Sequence, residues 1–528
     1  MDNNNNQSQL LKSPPTRTRS GSYNHKHLDN YNPLPQNAPG ASAAVGHTVE
    51  NSIPLSIFPI ALDKMCICIC GLPGRGKTHI SRRLARYLSF FHAIPVEVFT
   101  VAEYRLKLCG VISDAEWFDA TNIEANELRS QCNKLAVEDM IEFLNKNENG
   151  VAILDSTNAT HERRKFVLQM MHSTRAKVLF IEVNNENERY LSQHYEDVSI
   201  SSPDYQNVSN KGDAEVDFRK RIEKYKLIYE PIDDDSHSTT KYSAIETKWS
   251  YFKCNHSLKH FVLHNVSGYM QLKIVHFIIN LRTTTHSFYL SRHGQSEYNA
   301  VGRIGGDSGL SEYGVSYAQK LAEFVNTHIT KDKNGNEVPA RLWTSTMRRT
   351  KETAQFIKQN TIYLKDEEEP QIQYEWIQMR PRAWHHLDEL FAGQFDGMTY
   401  EEIEEEYPEE FARRNIDKLA YRYPRGESYL DVIARLEPII IEMERHREPV
   451  LIIGHQGILR IIYAFYMGLS RGDAPYVSIP LNCVIELIPT FKCQEKRYHL
   501  FTPPKPLPKD GQDEPGNKYA TLEDVQSH

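Results

Sequence analysis

The run Met65-Cys-Ile-Cys-Ile-Cys70 is apolar from end to end and leads straight into Gly71-Leu-Pro-Gly-Arg-Gly-Lys-Thr78. An unbroken apolar run of this length reads as a buried strand. The loop that ends it fits the spacing Gly71-x-x-x-x-Gly76-Lys77-Thr78, with Gly74 as an additional glycine. In such a loop the glycines let backbone N–H groups turn toward phosphates, the lysine reaches the β- and γ-phosphates, and the threonine ligates Mg²⁺. The helix that follows offers its positive N-terminal end to the anion. The competing reading is an incidental glycine-rich turn. The strand before it and the helix after it weigh against that.

The alternation of strand and helix continues. A helix is predicted over Thr78–Phe91, a strand over Val96–Val101, and a helix over Glu124–Leu144. Val151-Ala-Ile-Leu-Asp155 is a strand with a polar end, followed by a helix through Arg163 to His172 and a strand over Lys177–Val183. This order implies a parallel sheet covered on both faces. Asp155 at a strand end is placed to hold Mg²⁺ through water or to act as a base; the plain alternative is an N-cap for the next helix. Residues 233–248 open on an acidic run and read as a surface loop, and Tyr269–Leu281 as a helix leading out of the domain.

A second α/β series opens with a strand over Ser287–Ser291 that closes on Arg292-His293-Gly294. Helices at Ser311–Phe324 and Met347–Lys358 flank a strand at Ala340–Thr344. The strand Val450-Leu-Ile-Ile-Gly454 likewise ends in His455-Gln456. A lone histidine at a strand end is usually structural. Two strand ends of one parallel sheet, however, meet in the crevice beyond its carboxyl edge. There a neutral imidazole can attack phosphorus, guanidinium groups suit the charge of a phosphoryl group in transfer, and a carboxylic acid can protonate the leaving oxygen.

Composition excludes several classes. A net charge of -7, with no basic stretch interleaved with aromatics, argues against nucleic-acid binding, so any anion site must be locally basic. No apolar run is long enough for a membrane span, and the Asn-rich N-terminus has no signal-peptide core. Eight cysteines in 528 residues do not make a disulfide scaffold. Cys66, Cys68 and Cys70 share one strand face and read as small buried apolar residues rather than metal ligands. A cytoplasmic location fits. Residues 1–56 and 503–528 read as disordered tails. Within the first, Thr16-Arg-Thr-Arg-Ser-Gly-Ser22 makes Ser20 and Ser22 candidate sites for a basophilic kinase, beside the reading of a solvated linker.

Together the two motifs resemble the bifunctional 6-phosphofructo-2-kinase/fructose-2,6-bisphosphatase enzymes. The resemblance covers roughly residues 57–500 and extends to Asp155-Ser-Thr-Asn158, Ser201-Ser-Pro-Asp-Tyr205 and Tyr421-Arg-Tyr-Pro-Arg-Gly-Glu-Ser-Tyr429. It implies a P-loop kinase-like domain at 57–283 and a histidine phosphatase domain, of phosphoglycerate-mutase-like fold, at 284–502. In the second, His293 matches the nucleophile, His455 its partner and Glu389 the general acid. Arg292, Asn299, Gly305 and Arg349 match the phosphate pocket. Tyr400, Arg414, Lys418, Tyr429, Gln456 and Arg460 match the residues that hold the rest of the sugar bisphosphate. The implied reaction is metal-free hydrolysis of the 2-phosphate of fructose-2,6-bisphosphate to fructose-6-phosphate. In the first, Lys77, Thr78, Asp155 and Thr157 match the kinase site, with ATP and Mg²⁺ as its cofactors. Arg105, Arg129, Arg163, Arg221 and Tyr225 match the fructose-6-phosphate pocket, although spacing alone cannot gather them. A homodimer is also implied.

The kinase half departs from the family pattern. Ser199 stands where the family has a lysine, Asn185 where it has a cysteine, and Leu106 where it has an arginine. Loss of one transition-state cation costs about 10²–10³ in rate. Arg189 is a candidate to compensate. The resemblance thus implies net removal of the 2-phosphate, with a weaker or regulatory kinase half. Two rivals remain: a phosphoglycerate mutase or broad histidine phosphatase, and a pseudokinase that senses nucleotide or sugar phosphate. The acidic stretch Tyr400–Tyr407 reads as a solvated helix face. Gln378–Trp384 is longer than the family pattern and has no assigned role.

Overall fold

The sheet that opens the chain is built around β1 (Met65–Cys70), which pairs in parallel with β3 (Val151–Asp155) on one side and β4 (Lys177–Asn184) on the other. With β2 (Val96–Thr100), β5 (Ser250–Asn255) and β6 (His260–His264) the order is β2-β3-β1-β4-β5-β6. The computed structural model describes residues 64–232, 248–255, 260–281, 286–365, 371–489 and 493–500. Both expected tails, with Ser20 and Ser22, lie outside these residues, as does nearly all of the 233–248 segment. Both sheets belong to one compact unit, Ile60–His528.

The composition of β1 explains its central place. Ile67 and Ile69 face a cluster with Ile80, Leu84, Tyr87 and Leu88 of the helix Lys77–His92. Cys66, Cys68 and Cys70 face the opposite cluster, with Ala136, Val137 and Met140 of the helix Ile123–Lys146. Both faces of the strand are covered, so polar residues are absent from it. The cysteines are thus buried core residues with free thiols, and burial pushes the Cys66 thiol up to about 12. The sheet is parallel except at its edge, where β6 runs antiparallel to β5. The link between them is too short for a crossover, which a parallel pair requires.

The second sheet combines β7 (Phe288–Arg292), β8 (Arg341–Thr344), β11 (Pro381–Ala383), β12 (Val450–Gly454), β13 (Cys483–Ile488) and β14 (Gln494–His499). Its order is β11-β8-β12-β7-β13-β14, and β9 (Thr361–Lys365) and β10 (Gln373–Ile377) form a separate hairpin. Strands β11, β8, β12 and β7 are mutually parallel; β13 and β14 add antiparallel pairs. The 378–384 segment therefore has a structural use, because its strand β11 closes one edge of the sheet.

One hydrophobic cluster continues from the first half into the second. The ring of Tyr87 stacks on Phe277 at 4.2 Å, and Phe91 meets Phe465 of the helix Gln456–Met467 at 5.2 Å. No helix among the described residues is long and apolar enough to cross a membrane.

Several helices differ from expectation. The strand predicted to reach Val101 stops at Thr100, where the helix Val101–Cys109 begins. The helix Lys211–Lys226 carries only Ala214, Phe218 and Ile222 as buried residues, a stripe too thin to stand out in a charged sequence.

Candidate active site

Strands β7 and β12 are neighbours in parallel register, with Arg292 opposite Gly454. The next residue on each strand is a histidine, so the two rings leave the sheet side by side. The His293 backbone N–H donates to the Gly454 carbonyl at 3.0 Å, and the ring centroids lie 5.1 Å apart. Both histidines are buried. The carbonyl of Gly294 lies 2.7 Å from His293 Nδ1. A proton on Nδ1 makes that hydrogen bond and leaves Nε2 as the ring's unprotonated, accepting nitrogen.

Arg349 occupies the gap between the rings. Its Nε donates to His293 Nε2 at 3.1 Å and to His455 Nδ1 at 3.2 Å. His455 Nε2 lies 2.8 Å from Ser345 Oγ. Burial, then Arg349 and Arg292, holds the His293 ring well below the ordinary histidine range. Burial, Arg349 and His293 do the same to His455. Both rings are therefore neutral at neutral pH.

Arg349 is held in turn by the glycine-rich segment, through its Nη1 to the Gly306 carbonyl at 2.7 Å. At Gly305, φ is +70°, and a Cβ there would collide with the Asp396 carboxylate. Only glycine suits both conditions.

The cavity above His293 is lined by Arg292, Asn299, Gly305, Arg349 and Glu389. Tyr400, Arg414, Lys418, Tyr429, Gln456 and Arg460 complete the expected set around the same cavity. His455 is fully buried outside the lining and reaches it through Arg349. Glu389 is the sole acid among many basic lining groups, so a protein of net negative charge has a strongly cationic pocket. The Glu389 carboxylate accepts from the backbone N–H of Leu390 at 2.9 Å and of Gly457 at 3.4 Å. Arg414 donates to Tyr423 Oη at 2.9 Å and to Tyr400 Oη at 3.0 Å. Arg460 donates to the Val477 carbonyl at 2.7 Å. Residue-level reading missed Arg303, Tyr298, Tyr421 and Tyr423 in the lining. The tyrosines at 421 and 423 were present in a recognised stretch without a role. Tyr400 starts the helix Tyr400–Glu406, whose glutamates are mostly exposed while Ile403 turns inward, the solvated face expected of this acidic stretch.

The first motif forms a cradle at the end of β1. Gly76 takes up the left-handed conformation (φ 89°) at the N-cap of Lys77–His92, and no side chain caps that helix. Lys77 Nζ donates to the Leu72 carbonyl at 2.6 Å, and burial lowers its pKa to about 8. Gly71 N–H donates to the Thr157 carbonyl at 3.1 Å, which ties the loop to the turn after β3. Asp155 is buried at the end of β3, where burial raises its carboxyl above the usual range against the pull of the Thr78 hydroxyl and Lys77. Its Oδ2 is buried with no hydrogen-bond partner among the described residues, an oxygen suited to a cation or an acceptor hydroxyl. The N-cap alternative for Asp155 does not hold, because Thr160 caps the next helix, His161–Met171.

Phe118 gathers the dispersed cations. The guanidinium of Arg221 lies 3.6 Å from its ring centroid, with Arg105 at 5.7 Å and Arg129 at 6.0 Å. The Tyr225 ring is 6.1 Å away. Arg163 Nη1 donates to the Arg129 carbonyl at 3.4 Å. The buried Asp204 pairs with Arg105 at 2.6 Å and Arg221 at 3.2 Å. Arg105 Nη1 and Arg221 Nε remain buried without a hydrogen-bond partner among the described residues. These donors fit an anionic ligand. Asn185 is buried just after β4. Ser199 lies in the helix Glu188–Ser201, but its side chain and that of Arg189 are outside what is described.

A phosphate-loop sheet joined to a paired-histidine phosphatase sheet defines the class. Residues 57–285 match the family model of 6-phosphofructo-2-kinase, and residues 288–499 that of the histidine phosphatase superfamily, branch 1. The chain is 38% identical over 427 residues to a fructose-2,6-bisphosphatase of Saccharomyces cerevisiae, spanning 81% of this chain and 86% of that one. It is 36% identical over 476 residues to the 6-phosphofructo-2-kinase/fructose-2,6-bisphosphatase of Gallus gallus, spanning 87% and 93%. For the enzyme of that name in Caenorhabditis elegans the figures are 37% over 441 residues, 82% and 88%. The chain belongs to the 6-phosphofructo-2-kinase/fructose-2,6-bisphosphatase family.

Proposed function

We propose that this chain hydrolyses the 2-phosphate of fructose-2,6-bisphosphate through a phosphohistidine on His293. The observation that carries this reading is the bridging of two neutral histidines by one guanidinium, Arg349. His293 Nε2 attacks phosphorus, and the bond from phosphorus to the sugar oxygen breaks. Glu389 as the acid gives its proton to that oxygen, and fructose-6-phosphate leaves. Glu389, now a carboxylate, takes a proton from the water that attacks the phosphohistidine, and phosphate is released. Arg292, Arg349 and His455 face the phosphoryl oxygens in flight. Asn299 and Gly305 belong to the same phosphate pocket. Arg414, Lys418, Tyr400, Tyr429, Gln456 and Arg460 hold the sugar and its second phosphate.

The other half is read as a 6-phosphofructo-2-kinase that uses ATP and Mg²⁺. Gly71, Gly74, Gly76 and Lys77 would hold the nucleotide phosphates, and Thr78 with Asp155 the cation, which screens the phosphate charge when bound. Arg105, Arg129, Arg163, Arg221, Tyr225 and Thr157 would receive fructose-6-phosphate. The lack of a lysine at Ser199 favours removal over addition of the phosphate, so the chain sets the bisphosphate level chiefly from the phosphatase side. We assign residues 57–283 to the kinase part and 284–502 to the phosphatase part. A cytoplasmic homodimer is the accompanying reading, supported by family membership; sedimentation as a lone 61.1 kDa species would contradict it.

Phosphate release from fructose-2,6-bisphosphate and from 2-phosphoglycerate, measured side by side, tests the main reading. The expected result is a large preference for the bisphosphate. Preference for 2-phosphoglycerate would restore the mutase reading.

A further inference from the structure

Glu389 lies in a stretch with no backbone ladder of its own: residues 388–392 form neither helix nor strand. A general acid must nevertheless be held within a fraction of an ångström of the leaving oxygen. Two side chains outside the cavity lining supply the missing partners. Arg435, on the helix Tyr429–Arg445, donates Nη1 to the His386 carbonyl at 2.5 Å. Its Nη2 donates to the carbonyls of Asp388 at 2.7 Å and of Glu389 itself at 3.3 Å. Its Nε donates to Glu427 Oε1 at 2.8 Å. Glu427 Oε2 accepts the Phe391 N–H at 3.0 Å, and the Glu427 N–H donates to the Phe391 carbonyl at 2.9 Å.

We propose that the Arg435–Glu427 pair is the positioning unit of the general acid, gripping the backbone on both sides of Glu389. The inference rests on the reading of Glu389 as the acid. The planar fork of Arg435 spreads its donors over three carbonyls and one carboxylate. A lysine would keep the charge but lose this geometry. Arg435 lies six residues after Tyr429 on that helix and Glu427 just before its N-cap Ser428, so acid and substrate-binding tyrosine share one rigid support. Neither residue touches the cavity, and both act through Glu389.

The test exploits leaving-group chemistry. Departure of a sugar alkoxide needs a proton; departure of p-nitrophenolate does not. Full-length Arg435→Lys, Glu427→Gln and Glu389→Gln are each assayed with fructose-2,6-bisphosphate and with p-nitrophenyl phosphate. Rates of phosphohistidine formation are divided by the number of sites labelled at His293, so that misfolded protein does not count. Arg435→Lys is expected to lose about 100-fold in the sugar-phosphate step and to stay within roughly threefold for the aryl phosphate. Glu427→Gln shows the same pattern with a smaller loss. The double variant Glu389→Gln/Arg435→Lys falls no further than Glu389→Gln alone, since both act on one function. Equal losses on both substrates, no loss on either, or multiplying losses in the double variant overturn the positioning role. If Glu389→Gln itself shows no leaving-group dependence, the acid assignment fails instead. Should Arg435→Lys yield no labelled sites, Glu427→Gln decides by the same ratio.

Discussion

Arg83 and Glu444, 361 residues apart in sequence, form an ion pair at 2.7 Å between the two halves of the chain. Arg83 lies on the helix that begins at the phosphate cradle, and Glu444 on the helix that begins at Tyr429 in the phosphatase cavity. Seven residues before Glu444, Glu437 accepts from Tyr87 Oη at 2.5 Å and from Lys273 Nζ at 2.7 Å. The halves are thus fastened by two carboxylates on one helix. Glu444 is only 3% exposed, so removal of its partner strands a buried charge. Arg83→Met is expected to cost about 3 kcal/mol in denaturant unfolding, and Arg83→Met/Glu444→Leu to recover most of it. An unchanged midpoint in the single variant would show that the pair does not hold the halves.

The pH response of the phosphatase follows from the two buried rings. Their folded pKa values lie below the ordinary histidine value. A depressed histidine gives stability that is present above the unfolded value of about 6.5 and is lost as pH falls through the lower folded value. Activity follows the same sign, because the protonated ring cannot attack phosphorus. Phosphohistidine formation is expected to show no inflection near pH 6.5 and to fall only at clearly lower pH. Stopped-flow rates across that range check this; an acid limb centred on an ordinary histidine value would contradict it.

The kinase half offers a gain-of-function test. If the missing cation at position 199 limits phosphoryl transfer, Ser199→Lys raises the rate of bisphosphate formation from ATP and fructose-6-phosphate about 10²-fold. An unchanged rate would mean that another cation already serves, or that the sugar pocket is at fault. Calorimetry with fructose-6-phosphate separates these two outcomes.

Much of this was legible in the sequence, for a definite reason. Strand ends followed by chemistry-bearing residues mark the carboxyl edge of a parallel sheet, which is where both sites lie. Gly454 opposite Arg292 turned two separate strand-end histidines into one pair. The sugar-phosphate arginines were different. They come from separate helices, and no period in the sequence connects them. Phe118, which collects them, carries no pattern of its own, and Asp204 belongs to the family-like stretch Ser201–Tyr205, where nothing in the sequence ties it to Arg105 or Arg221. Arg435 was equally hidden, because its partners are backbone carbonyls, and a carbonyl leaves no trace in a sequence.

The most direct test of the account is to mix the enzyme with fructose-2,6-bisphosphate labelled at the 2-phosphate, quench within the first turnover, and map the label. The account predicts an alkali-stable, acid-labile phosphoryl group on His293, absent in His293→Ala. Label on any other residue, or turnover with no phosphoenzyme on the millisecond timescale, would contradict it.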